Sequence, residues 1–435
     1  MDKSNITPYT AGCGWRVHKN DEVNMNLCFV PSRALRSVAL FIVVSLATGV
    51  SGAPSADKHP FGLDDYSALR RAHAVSVSPD GKIILYVVSH NGDKGPPTNE
   101  WRLIEVSGEN SRKLELSSNF KPGGFMKDGA ALFGLYEVEK REQLAIVPIA
   151  AGKPIQVVAM PNGIRAAVIS PDGTRFAILG DPRPKDPLSE VHRVAENDVT
   201  SIYVTGVSGE EGAWWCPELK SVVDIAWAPD GSQIAVVTQT PKIGNHDFRS
   251  KIYVCAASGA RRVAEIGNAT AGIAWADGGK TLLFASTTTD VLTPDHLWTV
   301  PVAGGKPVDR TPKLDGSIMG VWGGPHGNVW AEMHRGPVSE IYTYRDEKIE
   351  LAYRWPDGIV QSPPAFSPLT SSTDVLAFTV ADPAHSSNVA EARQGQLHRI
   401  THEGDDTLAG VRLGEVRVVN WTAKDGTKLE GILTL

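Results

Sequence analysis

Few residues of this 435-residue chain have the types and spacing of a binding or catalytic site. One such group lies between Gly180 and Val199. This stretch, GDPRPKDPLSEVHRVAENDV, carries Glu190, His192 and Arg193 close together. A carboxylate, an imidazole and a guanidinium can bind charged or hydrogen-bonding groups, and long loops on a regular scaffold often carry function. We therefore predict that these three residues contact a substrate or another domain. The alternative is that they belong to a solvated rim loop.

Two other patterns argue against metal and nucleophilic chemistry. His398 and His402 would lie about 13 Å apart on one face of an extended strand, too far to ligate one ion, so we predict no metal site, and we predict no other cofactor. A nucleophile elbow of the G-x-S-x-G type is also missing; in TGVSGEEG, Thr205–Gly212, a glycine directly follows Ser208. Without a positioned nucleophile and an oxyanion hole, we predict no catalytic residues.

A repeat underlies these residues and sets their positions. The stretches VSVSPDGKIILYVVS, AVISPDGTRFAILG and IAWAPDGSQIAVVT each predict two strands joined by a Pro-Asp-Gly turn. The turn aspartates are separated by 48, 44, 58 and 47 residues, a period typical of β-propeller blades. We assign the following aspartates to structural roles in these turns: Asp80, Asp128, Asp172, Asp230 and Asp277.

Two later units keep the strand order without the Pro-Asp-Gly turn, which gives seven units in all. The sequence therefore predicts an all-β fold, a seven-bladed β-propeller over residues 61–413. Two stacked β-sandwiches would leave the even spacing unexplained. Only Leu63–His73 has a pattern that allows a short helix. The net charge of −6 gives no electrostatic argument for nucleic acid as a partner.

The C-terminal stretch GEVRVVNWTAKDGTKLEGILTL, residues 414–435, predicts a β-hairpin. Val416, Val418 and Trp421 lie in its first strand, and Asp425-Gly426 supplies a strong turn signal. A lone hairpin is marginally stable in water, so this one is expected to pair with something outside the propeller.

Residues 1–56 predict a leader with a secretory signal. Arg33 and Arg36 precede the apolar run Val38–Thr48, and small residues follow. Met25 would give a charged region of normal length, so we predict it as the true start, with cleavage between residues 52 and 56. The run is short for a bilayer span; an uncleaved anchor or a buried strand is the alternative. We therefore expect an exported protein, periplasmic or secreted, with no stable membrane span after cleavage.

Cys216 and Cys255 lie in the part of the chain that would be exported, where a disulfide is permitted. They fall in neighbouring repeat units, so pairing is geometrically conceivable. Free cysteine is among the most buried residue types, and on that ground we favour two buried thiols.

Two stretches resemble the prolyl oligopeptidase family of serine peptidases, in its dipeptidyl-peptidase and acylaminoacyl-peptidase branch. FGLDDYSALRRAHAVSVSPDGKIILYVVS is similar to the beginning of that family's propeller. The last stretch is similar to the family's crossing into its α/β-hydrolase domain, where W-x-x-x-D-G-x-x-L/I-x-G forms the first hairpin. The positions of that motif are filled here by Trp421, Asp425, Gly426, Leu429 and Gly431.

The resemblance implies a substrate-gating and docking propeller of an exported serine peptidase that acts on peptides. In the family, the hydrolase domain follows the propeller and carries the catalytic Ser, Asp and His, and propeller insertions help to form the chamber above the catalytic site. It implies a hydrolase domain, in cis or as a separate chain, and peptide substrates as partners, and a truncated chain that is inactive alone.

Two alternatives belong to other classes. The Pro-Asp repeats also resemble periplasmic TolB-like propellers, which would make this a binding or scaffold protein without enzymatic activity. A propeller enzyme with a site in its central channel needs convergent His, Asp or Glu at the blade starts, where this chain has Ala, Val, Ile and Gly.

Overall fold

The computed structural model of the chain describes residues 58–92, 97–182, 200–240, 249–267, 269, 272–287, 293–324, 327–336, 338–355, 359–361, 375–393 and 395–435. These residues form seven four-stranded antiparallel sheets and two sheets of two strands. The predicted seven-bladed β-propeller is confirmed. No helix in these ranges is both long and apolar enough to cross a membrane.

Each blade uses four strands that are consecutive in the chain. The first blade contains β2 Arg70–Val77, β3 Ile83–His90, β4 Thr98–Glu105 and β5 Arg112–Lys113. The second contains β6 Phe120–Phe125, β7 Ala131–Val138, β8 Arg141–Pro148 and β9 Ile155–Val158. The third contains β10 Ile164–Ile169, β11 Arg175–Gly180, β12 Ser201–Gly206 and β13 Ala213–Trp215. The fourth contains β14 Val222–Trp227, β15 Ile234–Thr240, β16 Arg249–Ala256 and β17 Gly259–Ile266.

The remaining three blades follow the same order. The fifth contains β18 Ile273–Ala276, β19 Thr281–Thr287, β20 Asp295–Pro301 and β21 Val308–Asp309. The sixth contains β22 Ser317–Gly323, β23 Val329–Arg335, β24 Val338–Arg345 and β25 Lys348–Trp355. The seventh contains β26 Ile359–Gln361, β27 Leu376–Asp382, β28 His385–Arg393 and β29 Gln396–Arg399.

Six short elements lie outside the blades. They are β1 His59–Pro60, α1 Leu63–Ala68, α2 Asp405–Ala409, β30 Val411–Arg412, β31 Val416–Thr422 and β32 Lys428–Thr434. The helix predicted within Leu63–His73 is α1, but it ends at Ala68 because the following residues already form β2. The second helix, α2, follows the last strand of the seventh blade.

The Pro-Asp-Gly turns of the first and third blades share one hydrogen-bonding pattern. In the third blade, Asp172 Oδ1 accepts hydrogen bonds from the Ser170 hydroxyl, at 2.5 Å, and the Thr174 N–H, at 3.0 Å. Asp80 accepts the same bonds from Ser78 and the Lys82 N–H. Asp277 differs, because it opens a 3-10 turn with a φ of 52°. These short-range bonds let the turn form from local sequence alone.

Every blade is buried on both faces because its two neighbours pack against opposite sides. In β27, Leu376 and Phe378 pack in a cluster with Trp330 of the sixth blade. Ala377, between them, packs in a cluster with Ile84 of the first blade. Side chains alternate across a strand, so a single strand contributes to two cores, and the blade strands carry long apolar runs.

Neighbouring blades are also joined by side chains that bond to the next backbone. Trp227 is 7% exposed and donates its indole N–H to the Val168 carbonyl of the preceding blade, at 3.1 Å. Trp275, 5% exposed, repeats this with Ala226 at 2.9 Å. Trp227 and Trp275 therefore fill the blade interfaces, and the one polar atom of each side chain is satisfied.

Cys216 and Cys255 form a disulfide, with their Cα atoms 6.0 Å apart. The expectation of two buried thiols was correct about burial and wrong about bonding. Cys216 lies just after β13, at the outer edge of the third blade, and Cys255 lies in β16 of the fourth. The two cysteines meet because consecutive sheets stack on one another. Composition and the burial preference of cysteine do not reveal this proximity.

Candidate interaction face

The strand order of a blade divides its connections between two sides of the ring. Strands alternate in direction, so the turns after the first and third strands lie on one side and the loops after the second and fourth strands on the other. The turns that carry Asp80, Asp172, Asp230 and Asp277 occupy the first side. We call the second side the exit face, because the last strand of the seventh blade ends there and the chain continues from it to β31.

The predicted contact residues Glu190, His192 and Arg193 lie outside the described residues. The positions that flank this stretch, Pro182 and Thr200, are at the ends of β11 and β12 that belong to the exit face. The chain therefore connects these two strands through the stretch that carries the three residues.

The hairpin formed by β31 and β32 is a sheet of its own, with Val418 opposite Ile432 and Trp421 opposite Leu429. Asp425 accepts the Thr427 N–H at 3.0 Å, and this bond lowers the pKa of the Asp425 carboxyl. Trp421 is 50% exposed and Ile432 49% exposed. Large apolar side chains are therefore displayed on both faces of a two-stranded sheet, a pattern typical of a surface that packs against another structure.

The hairpin contacts the exit face at the sixth blade. A Cβ atom placed on Gly336 would lie 2.0 Å from Glu430 Oε1. Gly336 follows β23 and Glu430 lies in β32, on the same face of the hairpin as Ile432. Trp421 and Leu429 lie on the opposite face of the hairpin.

A cleft of about 270 Å³ opens on the exit face between the second and third blades. Its walls carry three cationic and two acidic side chains, Lys140, Arg141, Arg165, Glu142 and Asp181. The side chain of Arg141 has no hydrogen-bond or ion-pair partner among the described residues, whereas Glu142 is paired with Lys121. This arrangement can accept a carboxylate from a ligand. Sequence reasoning missed the cleft because Arg141 and Arg165 belong to different blades.

Six of the eight histidines in the described part of the chain are paired with carboxylates. His398 Nδ1 lies 2.9 Å from Glu391 Oε1, and His402 Nδ1 lies 3.2 Å from Asp405 Oδ2. These two histidines therefore bond to two different carboxylates. Within the described ranges, no group of three or more His, Cys, Asp or Glu side chains could hold a metal ion.

One buried carboxyl group lies at the exit-face end of the fifth blade. Asp295 begins β20, and its Oδ1 atom is buried without a hydrogen-bond partner. Burial raises the pKa of this carboxyl to about 6, although the charge of the neighbouring His296 acts to lower it. Asp295 therefore changes its charge in a mildly acidic pH range.

Comparison with solved structures places this fold among the propellers of peptidases. The acylaminoacyl peptidase of Pyrococcus horikoshii superposes with a TM-score of 0.62 at 14% identity, over 83% of this chain and 57% of that chain. A puromycin-hydrolyzing peptidase of Mycobacterium tuberculosis gives 0.62 at 13% identity, over 88% and 61%. The propeller domain of the trilobed protease from Pyrococcus furiosus, described as having an open velcro topology, gives 0.57 at 13%, over 78% and 98%.

These similarities establish the fold and agree with the resemblance drawn from the sequence. The chain spans about three fifths of the two longer peptidases and nearly all of the separate propeller domain. No protein-family model and no curated protein sequence matches the chain.

Proposed function

We propose that this chain is the substrate-gating and docking propeller of an exported serine peptidase that acts on peptides. The observation that carries the proposal is the apolar hairpin displayed on the exit face. It has the W-x-x-x-D-G-x-x-L-x-G pattern, and it follows a propeller whose fold is that of peptidase propellers. In this proposal an α/β-hydrolase domain with the catalytic triad packs on the hairpin and covers the exit face.

The exposed face of the hairpin fits this role physically. Trp421 and Leu429 lie opposite each other in register, with Leu433 and Leu435 further along the same face. These side chains are 38–62% exposed, and their burial against a sheet would contribute about 25 cal/mol for each Å² removed from water. The hairpin edges also offer unpaired backbone groups to which a further strand can bond.

The substrate-gating role follows from the position of the docked domain. A catalytic domain on the exit face would face the cleft that contains Arg141 and the ends of the stretch that carries Glu190, His192 and Arg193. Side chains from the ring would then contact the peptide, while the hydrolase domain supplies the nucleophile. The chain itself has no G-x-S-x-G motif, so we propose that it does not hydrolyse peptides without that domain.

Two features support export. The apolar run Val38–Thr48 has the flanks of a secretory signal. The Cys216–Cys255 disulfide persists where the surroundings are oxidising.

Fluorophosphonate labelling tests the docking proposal. The tagged protein is produced from its own gene in its native cell, purified from the exported fraction and treated with a fluorophosphonate. We expect label on a serine within a G-x-S-x-G peptide of an attached or bound hydrolase domain, and none on residues 58–435.

A matched pair of variants identifies the docking surface. Trp421→Glu places a charge on the hairpin and should abolish the recovered labelling; Val308→Glu, at a position 47% exposed on the fifth blade, should preserve it. Labelling within residues 58–435 would contradict the proposal. Absence of any labelled domain would favour the TolB-like binding propeller instead.

A further inference from the structure

The cleft between the second and third blades is lined by two separate sheets. The second blade contributes Lys140 and Arg141, at the turn into β8. The third blade contributes Arg165 of β10, whose Nη1 atom lies 3.5 Å from the Thr200 hydroxyl oxygen. The volume of about 270 Å³ is just below the usual range of small-ligand sites, so the cleft fits a terminal or side-chain group rather than a long chain.

Arg141 is the group of this cleft that is best placed to bind an anion. Its side chain is half-buried, and its guanidinium has no hydrogen-bond or ion-pair partner among the described residues. The adjacent Glu142 is paired with Lys121 instead, so it does not neutralise the arginine. A planar carboxylate can satisfy such a guanidinium through two parallel charge-assisted hydrogen bonds.

The backbone that carries Arg141 is held in place from both sides. Arg141 follows a tight turn in which Glu139 and Lys140 have φ values of 48° and 62°. Two residues further on, the buried Gln143 side chain donates to the Met160 carbonyl at 3.1 Å and accepts the Met160 N–H at 2.8 Å. These bonds attach β8 to the segment that leads into β10. The second-blade wall is therefore fixed before a ligand arrives, which lowers the entropic cost of binding.

The third-blade wall approaches Arg141 through glycine. Gly163 has a φ of 81°, and a Cβ atom on it would lie 3.4 Å from the Glu142 carbonyl oxygen and 3.5 Å from Arg141 Cβ. A Cβ atom on Gly180, which also lines the cleft, would lie 2.4 Å from Met160 Sδ. The two blades therefore meet closely at the base of the cleft, and larger residues at either glycine would push its walls apart.

We propose that this cleft binds a carboxylate of a peptide ligand and that Arg141 pairs with it. Lys140 adds a second positive charge to the same wall. Glu142 and Asp181 also line the cleft; they disfavour a doubly charged anion such as phosphate and can accept N–H groups of a peptide.

The choice of a peptide as the ligand rests on the proposed function, whereas the carboxylate site rests on Arg141 and the cleft alone. A peptide offers a carboxylate at its C-terminus or on an aspartate or glutamate side chain. The binding test separates these two sources.

Titration calorimetry of the fluorophosphonate-treated protein tests the site, because this treatment blocks hydrolysis of the probe by an attached hydrolase domain. The probes are acetyl-Ala-Ala-Ala with a free C-terminus, the same peptide as its C-terminal amide, and acetyl-Ala-Asp-Ala amide. We expect one of the two charged peptides to bind at least about tenfold more tightly than the uncharged amide, the effect of one charge-assisted pair. Preference for the first identifies the C-terminus as the source of the carboxylate, and preference for the third identifies the acidic side chain. Equal binding of all three peptides, or no binding of any, would overturn the proposal.

Variants of Arg141 locate the binding at the cleft. Arg141→Gln should remove the preference for the charged peptide and leave the thermal unfolding temperature unchanged, because the side chain has no partner in the folded chain. Arg141→Lys should keep part of the affinity, since it retains the charge and loses the forked geometry. Arg112→Gln is the matched control: it removes an exposed arginine from β5 of the first blade and should keep the full preference. A full preference in Arg141→Gln would show that the carboxylate binds elsewhere.

The cleft and the peptidase role fail in different ways. If no hydrolase serine is labelled while binding of the charged peptide still depends on Arg141, the peptidase role is wrong and the carboxylate site stands in a binding propeller. If a hydrolase serine is labelled while binding does not depend on the carboxylate, the assignment of the cleft alone is rejected.

Discussion

At the residue scale, two aspartates illustrate how position decides the protonation of a carboxyl group. Burial without a partner raises the pKa of Asp295 to about 6. Hydrogen bonds from Ser170 and Thr174 lower the pKa of Asp172 to about 2. Both residues look alike in the sequence, as polar residues next to strands. The difference depends on whether donors from the local turn reach the carboxylate.

Asp295→Asn should stabilise the protein at neutral pH. Between pH 3.8 and about 6 the folded chain binds more protons at Asp295 than the unfolded chain, so the free energy of unfolding falls as pH rises through this range. We expect the variant to be more stable than the wild type by about 1–3 kcal/mol at pH 7.5 and equal to it at pH 3.5.

Urea unfolding at both pH values measures this difference in stability. Asp315→Asn, at an exposed carboxylate, should change stability by less than about 0.5 kcal/mol; a constant difference for Asp295→Asn would contradict the assignment.

At the element scale, the blade hairpins depend on their turn aspartates. Asp172 joins the first two strands of the third blade by bonds within five residues of sequence. Such local bonds fix the turn before the blades pack, and they explain why the repeat is visible in the sequence.

Asp172→Ala should destabilise the protein by about 0.5–1 kcal/mol at pH 7, a modest value because the carboxylate is exposed. The folded pKa lies below the unfolded value of 3.8, so this contribution is present above pH 4 and is lost as pH falls towards 2. Thermal unfolding at pH 7 and pH 2.5 checks it. Asp128→Ala should lower the free energy of unfolding by less, because Met126 stands where the third blade has Ser170 and offers no hydroxyl to the carboxylate. An equal loss for both variants would show that the serine bond contributes nothing.

At the scale of the whole molecule, the ring is fastened unevenly. The disulfide closes a sequence separation of 39 residues between the third and fourth blades. The seam between the first and seventh blades holds a buried apolar cluster, the Arg70–Glu403 pair and the hydrogen bond from Ser386 to the Arg70 carbonyl. The covalent cross-link restrains the interface between the third and fourth blades, whereas the seam between the first and seventh blades is held by non-covalent contacts alone among the described residues.

Removal of the disulfide should lower stability without changing the fold. We expect Cys216→Ala with Cys255→Ala to lose about 2–4 kcal/mol, since the cross-link restricts the unfolded chain. Reductant should lower the urea midpoint of the wild type and leave that of the double variant unchanged. A wild type that is insensitive to reductant under unfolding conditions would contradict the disulfide.

The blade hairpins, their number and the C-terminal hairpin follow from local sequence. Pro-Asp-Gly turns, alternation of apolar residues and a regular period are local properties, and they can be seen in a single chain. The motif around Trp421 supports only the proposal that a hydrolase domain packs on this hairpin.

Contacts between distant residues become visible only when the blades are packed together. The Cys216–Cys255 bond, the cleft with Arg141 and Arg165, and the Arg70–Glu403 pair all join separate blades. Closure of the ring brings together positions that lie tens to hundreds of residues apart, and the burial of Asp295 depends on the same packing. Local propensity carries no information about these contacts, because they arise from the stacking of whole sheets.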